Sequence, residues 1–209
     1  MTTADNITSQ LLARLFTHVE AQRLKSLAKL LEKAKPGEPD GEIWEFDQSL
    51  GGLGGFAMPA DPTVNPFNTW GKDRNIFRSI QYAKSSLTYN PTYPRSVIVD
   101  VGRVLEIMAK YMNDHYSIIS RLQNNYMLGK NLRYLHDKKV IDDELYDTCR
   151  ALADLTNLAK HEISVENSRS FSSLDGLVAY FSMRKINNQL LTIIEHPRMK
   201  DTYLPYRKP

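Results

Sequence analysis

The chain has 209 residues, 42% of them hydrophobic, which is enough to bury a sizeable core without disulfides or metals. Its 27 basic and 24 acidic residues give a formal charge of +3, which neither requires nor excludes a nucleic-acid partner. The single cysteine, Cys149, excludes an internal disulfide framework and favours a reducing, cytoplasmic location. No stretch approaches the roughly 20 apolar residues that span a bilayer, and the N-terminus lacks a signal-peptide pattern, so we expect no membrane partner.

The first segment, residues 1–35, is predicted to be an N-terminal amphipathic helix over residues 7–35. Apolar residues recur there at intervals of three to five, close to the helical period. Asp5 or Asn6 would cap its start, and Pro36-Gly37 would end it. Such an apolar face needs a partner surface, either the C-terminal half of the chain or a second copy.

A local charge asymmetry follows the second half of this helix. The basic residues come first and the acidic ones after them: Arg23, Lys25, Lys29, Lys33 and Lys35, then Glu38, Asp40, Glu42, Glu45 and Asp47. We expect the basic helix and the acidic loop to be solvated or to neutralise each other. An RNA-binding basic helix is the alternative.

The second segment, residues 36–95, holds seven of the ten glycines and seven of the ten prolines, with many aromatic residues between them. This composition predicts an irregular, aromatic-rich wrap or loop with one short helix near residues 74–84. A loop this long often serves as a lid or an oligomer contact.

The third segment, residues 96–195, is strongly helical in its pattern. Apolar residues predict one or two helices through residue 126 and a short helix over residues 130–137, with Lys138-Lys139 as the turn. A helix then runs from Asp142 to His161, and a last helix ends before Pro197. Residues 196–209 form a basic C-terminal tail, predicted to be a flexible or docking extension. The fold class is therefore mainly α, a helical bundle.

The helix from Asp142 to His161 divides into two faces at 100° per residue. One is an apolar stripe expected to face the core: Leu145, Cys149, Leu152, Thr156 and Ala159. The opposite face is polar: Arg150, Asp154, Asn157 and His161. Asn157 would orient the imidazole, and Asp154 would raise its pKa or accept its proton. An ordinary solvated helix face is the alternative.

Four phrases in this segment carry a family resemblance. In chain order they are Gly102-Arg103-Val104-Leu105-Glu106, then residues 128–135 (LGKNLRYL), residues 141–145 (IDDEL), and residues 156–161 (TNLAKH). Their order and spacing resemble those of HEPN-type helical domains, in a poorly characterised branch of that superfamily. The resemblance covers about residues 96–195 and implies a HEPN-like bundle.

The resemblance also implies a chemistry. Active HEPN nucleases cleave RNA without metal, with a histidine as acid or base and an arginine that stabilises the phosphate. In them four to six residues separate the arginine from the histidine, and the motif is normally paired across a dimer. His161 and Asn157 match this pattern, but the positions open to the arginine are Asp154, Leu155 and Thr156.

Other residues of the segment are the candidates for substrate binding: Arg103, Glu106, Arg150 and Lys160. Arg103 from the first helix, or a cation from a partner subunit, would have to replace the missing arginine, and Glu106 would lie near His161. An Arg103–Glu106 ion pair on the helix surface is the simpler alternative. Neither a cofactor nor a metal is expected, because no histidine has metal-ligand spacing.

The first functional hypothesis is a HEPN-like homodimer acting on or through RNA in a defence or toxin–antitoxin setting, with weak or no RNase activity. The second is a non-catalytic module for protein–protein interaction, in assembly or in an antitoxin-like role. A third is a sensor of a small molecule or nucleotide in a cleft between helices.

Overall fold

The computed structural model describes residues 3–50, 76–89, 93–118, 127–161 and 171–195, and these form eight α-helices. The predicted mainly helical fold is confirmed. The helices are α1 Thr3–Leu15, α2 His18–Leu31, α3 Asp40–Ser49, α4 Ile76–Tyr89, α5 Pro94–His115, α6 Leu128–Asp137, α7 Asp143–His161 and α8 Ser173–Glu195. Across these described ranges, no helix has both the length and the apolar character needed to cross a membrane.

Helix α5 lies at the centre of the bundle. It packs against α4, α6, α7 and α8, while α1 lies on α7 and α8, and α2 lies on α8 and α3. The inward side chains of α5 are almost completely buried, among them Val101, Leu105 and Met108. The apolar residues that recur at steps of three and four in the sequence therefore form the core of the molecule.

The single helix predicted over residues 7–35 is wrong, because the structure has two helices there. Thr17 caps α2: its hydroxyl accepts from the Glu20 amide at 3.3 Å, and the Glu20 carboxylate accepts from the Thr17 amide at 2.7 Å. This reciprocal capping box satisfies the free amides of a new helix start. Lys185 of α8 then binds the Leu15 carbonyl at 2.8 Å and Glu20 at 3.0 Å, which holds the break in place.

Regular structure also extends further into residues 36–95 than predicted. Helix α3 was not predicted, yet it buries Ile43 and Phe46. Pro39 and Gly41 lie at its start, where a proline without an amide hydrogen and a flexible glycine are tolerated. Helix α4 continues to Tyr89, five residues beyond the predicted end. Most of the remaining predicted loop, residues 51–75, lies outside the described residues.

From Pro94 onward the predicted helices are present. Pro94 occupies the first turn of α5, where it is well tolerated. Helix α6 ends in a turn at which Lys139 adopts a positive φ of 58°, and α7 follows as predicted. The predicted continuation toward residue 126 lies mostly outside the described ranges, as does the tail from residue 196.

Two buried polar contacts connect α8 to the N-terminal helices. Asp175 accepts from the Thr8 hydroxyl of α1 at 2.5 Å, and its carboxylate also caps α8 through the Ser172 amide at 2.8 Å. Arg184 forms a two-point ion pair with Asp47 of α3, at 3.0 and 2.7 Å. The Arg184 side chain is only 3% exposed, so this pair is shielded from solvent.

We predict that Asp47→Ala lowers the free energy of unfolding by about 3–5 kcal/mol, because the Arg184 charge would be left buried without its partner. Chemical denaturation followed by circular dichroism measures the change. Asp40→Ala is the matched control, since the ion pair between Asp40 and Lys84 is largely exposed and should contribute at most about 1 kcal/mol. Equal losses in the two variants would contradict the prediction.

Candidate functional site

Helix α7 presents the two faces that the sequence predicts. Asp142 caps its start by accepting from the Leu145 amide at 2.8 Å. The predicted core stripe is buried throughout: Leu145, Cys149, Leu152, Thr156 and Ala159. Burial raises the pKa of the Cys149 thiol to about 12, so this cysteine is a packing residue rather than a nucleophile.

The polar face of α7 is open to solvent. Arg150, Asp154, Asn157 and His161 are all exposed. Arg150 donates to the Tyr146 hydroxyl at 3.3 Å. The side chains of the other three form no hydrogen bond or ion pair with a described residue, so the predicted contacts of Asn157 and Asp154 with His161 are not formed. The imidazole is accessible, but nothing described orients it.

The position that a nuclease arginine would occupy is part of the core. Leu155 and Thr156 are fully buried, which leaves only Asp154 exposed among the three allowed positions. Thr156 packs directly on the backbone of α5, because a Cβ added to Gly102 would lie 2.8 Å from the Thr156 Cβ. An arginine at 156 would have to separate the two helices or bury its charge.

The candidate residues on α5 are engaged with their own helix. Arg103 pairs with Asp100 at 3.1 Å, and Glu106 pairs with Lys110 at 2.6 Å. The predicted Arg103–Glu106 ion pair is therefore wrong, because each residue has a nearer partner of opposite charge. Partial burial raises the pKa of Asp100, although the Arg103 guanidinium opposes the rise. Lys160, the last candidate cation, is half-buried near the end of α7.

Sequence reasoning missed Arg95, which is the arginine that meets the end of α7. Its Nε donates to the Ala159 carbonyl at 2.6 Å, two residues before His161. The free carbonyls at a helix C-terminus carry partial negative charge, so a guanidinium is stabilised there. The only signal in the sequence is indirect: a cation in the first turn of α5 is unfavourable to that helix and implies a partner elsewhere.

A second group missed by the sequence lies where α6 meets α7. His136 Nε2 is 2.7 Å from the Asp143 carboxylate, and the His136 ring stacks on Tyr146 with centroids 4.3 Å apart. The hydrogen bond from His136 lowers the pKa of Asp143. Arg150 lies over the other end of this group, 6.0 Å from the Tyr146 ring centroid. His136 of α6 is thus held beside the start of the exposed α7 face, whereas the His161 side chain at its other end has no partner among the described residues.

A cavity of about 380 Å³ opens on another side of α7, between α1 and α8. Its lining residues are Arg14, Leu15, Asp142, Glu144, Leu145, Thr148, Gln189 and Ile193. None of the predicted site residues is among them. In the described part of the chain, no three His, Cys, Asp or Glu side chains come together as a metal site would require.

Comparison with known proteins gives no match: neither a family model, nor a curated protein, nor a solved structure matches the chain. The HEPN-type assignment accordingly stays a prediction that depends on the four phrases in the sequence.

We predict that Gly102→Ala destabilises the protein by about 1–3 kcal/mol, because the added methyl group would overlap Thr156 across the α5–α7 contact. Gly129→Ala is the control, since a Cβ at Gly129 meets nothing within 4 Å. That change should leave stability unchanged or raise it by up to about 1 kcal/mol. Thermal unfolding of both variants measures the difference, and a neutral Gly102→Ala would show that the two helices can separate freely.

Proposed function

We propose that this chain is a HEPN-like protein that acts through RNA in the cytoplasm without cutting it. The observation that supports the second part concerns the three positions open to the motif arginine. Leu155 and Thr156 are buried, Thr156 against Gly102, and the exposed position is occupied by the carboxylate of Asp154. The defence or toxin–antitoxin setting and the homodimer that the resemblance implies belong to the same proposal.

The helical order supports the resemblance on which this proposal depends. The four phrases fall on α5, on α6, across the start of α7, and at the end of α7. These helices pack on one another around α5. The short glycine-led helix and the histidine at a helix end are thus compatible with a HEPN-like bundle.

The charge on the α7 face supports binding without cleavage. Asp143, Asp147 and Asp154 are exposed on the same side of the helix as His161, and Arg150 is the exposed cation among them. A scissile phosphate beside His161 would have the Asp154 carboxylate two helical turns away on this face and no arginine at motif spacing. This face favours contacts with a protein or with bases rather than with a phosphate in reaction.

Assembly with another protein is the second candidate function. Trp44 is 56% exposed and Tyr93 is 67% exposed. Large aromatic side chains are enriched where protein interfaces form, and both lie outside the resembling region. A protein partner, or a second copy of the chain, would cover them.

We predict that purified protein leaves structured and single-stranded RNA intact in the presence of EDTA, as does His161→Ala. Both should bind RNA, and the logarithm of the association constant should fall linearly with the logarithm of the salt concentration. Gel analysis of labelled RNA measures cutting, and fluorescence anisotropy measures binding.

Two outcomes would contradict this proposal in different ways. Metal-independent cutting that His161→Ala abolishes would make the protein a nuclease. Absence of RNA binding at low salt would exclude action through RNA and favour the second candidate, assembly with another protein or a second copy. Light scattering at several protein concentrations would then report the oligomeric state.

A further inference from the structure

Helix α2 and the turn after it present a row of lysines to solvent. Lys25, Lys29 and Lys33 follow one another at intervals of four residues and are all exposed. Within α2 the axial rise places Lys25 and Lys29 about 6 Å apart, and Lys33 follows in the turn after Leu31. The side chain of none of the three forms an ion pair or hydrogen bond with another described residue. Their charge is therefore available to a partner.

The acidic segment that follows α2 is directed elsewhere. Asp40 pairs with Lys84 of α4 at 3.0 Å, and Asp47 pairs with Arg184 of α8 at 2.7 Å. The Glu38 carboxylate accepts from the Lys35 backbone amide rather than from a lysine side chain. Direct pairing of the basic helix with the acidic loop, one of the two outcomes expected from the sequence, is absent from these described contacts.

Exposed tyrosines lie where this helix ends. The Gly37 amide donates to the Thr88 carbonyl at 3.0 Å, which joins the segment after α2 to the end of α4. The Tyr89 ring lies beside Gly37, 3.6 Å from the place that a Cβ would occupy, yet the residue is 60% exposed. Tyr82 is 55% exposed on the same face of α4, two turns earlier. The chain four residues after Lys33 thus lies beside the open ring of Tyr89.

We propose that Lys25, Lys29 and Lys33, together with Tyr89 and Tyr82, form a tract that binds single-stranded RNA. Lysines contact the phosphate backbone, and tyrosine rings stack on unpaired bases. A duplex hides the faces of its bases, so the tract prefers single strands. This inference rests on the proposed function and adds the surface and the form of RNA.

A membrane surface fits the same residues less well. A helix that lies on a bilayer inserts its apolar face, but the apolar face of α2 is already covered by the bundle. Leu24, Leu27 and Leu31 are buried there. What α2 offers to solvent is charge, and charge attracts a polyanion without any need for insertion.

The test is binding of a labelled single-stranded RNA of mixed sequence, measured by anisotropy over a range of salt concentrations. The triple substitution Lys25→Gln, Lys29→Gln, Lys33→Gln should weaken binding about a hundredfold at 0.1 M salt and reduce the slope of log K against log salt by about 2. Tyr89→Ala should weaken binding at least about fivefold, while Tyr89→Phe, which keeps the ring, should leave it unchanged.

The matched control removes three exposed cations from another part of the molecule, by Arg133→Gln, Lys138→Gln and Lys139→Gln. It should retain affinity within about threefold. Glutamine forms helix almost as readily as lysine, so the triple lysine variant should keep the helical circular dichroism of the wild type.

Three results would overturn the tract. Equal loss of RNA affinity in the triple lysine variant and the control variant would mean that binding depends only on net charge. Equal affinity of the wild type for a duplex of the same sequence would show that base stacking does not contribute to binding. If the triple lysine variant lost binding to phosphatidylserine vesicles but kept its RNA binding, the lysines would be assigned to a membrane surface. Failure of the wild type to bind any RNA is a separate result, because it would overturn the proposed function as well.

Discussion

The close approach of α5 and α7 determines which residues of α7 are available for function. Gly102 lets the two backbones meet at Thr156, and Arg95 holds the end of α7 through the Ala159 carbonyl. Two contacts three residues apart on α7 fix its rotation about its own axis. The apolar stripe then faces inward, and Asn157 and His161 must face outward. The burial of position 156 and the exposure of position 161 have the same cause.

Helix α8 organises the other side of the molecule by contacts with residues far away in the sequence. Asp175 binds Thr8, Arg184 binds Asp47, and Lys185 binds Glu20. Buried polar contacts of this kind contribute less to net stability than to specificity, because desolvation offsets much of their attraction. They define where α1, α2 and α3 lie against the bundle. The outward direction of the α2 lysines follows from this placement.

The parts of the fold that the sequence predicted well are those governed by local periodicity. Helices α6 and α7 and the buried stripe of α7 follow from apolar spacing and from acidic residues at a helix start. The break before α2 has a local signal too, since Thr17 and Glu20 have the spacing of a capping box. Helix α3 is harder to predict, because residues such as Pro39 and Gly41 favour irregular structure in general but here mark the beginning of a helix.

The contacts of the candidate site were harder to predict because they depend on tertiary structure. Nothing local indicates that Arg95 reaches α7, or that His136 meets Asp143 across a turn. Arg103 and Glu106 have correct spacing for a pair, yet each has a closer partner. Spacing identifies residues that are able to meet. Which of them do meet depends on competing partners that the sequence order does not rank.

Chemistry and affinity need not reside on the same surface of this protein. The exposed face of α7 carries Asp143, Asp147 and Asp154, of which the first two pair with His136 and Arg14. With Arg150 as its exposed arginine, this face offers a phosphate little net attraction. The exposed lysines of α2 and the turn after it, with the open tyrosines of α4, form the tract proposed for a flexible polyanion with exposed bases. If RNA is the partner, this tract rather than α7 would hold its backbone. The helix that resembles a nuclease element would then contribute the bundle and an accessible histidine, and the loss of its arginine would not weaken binding.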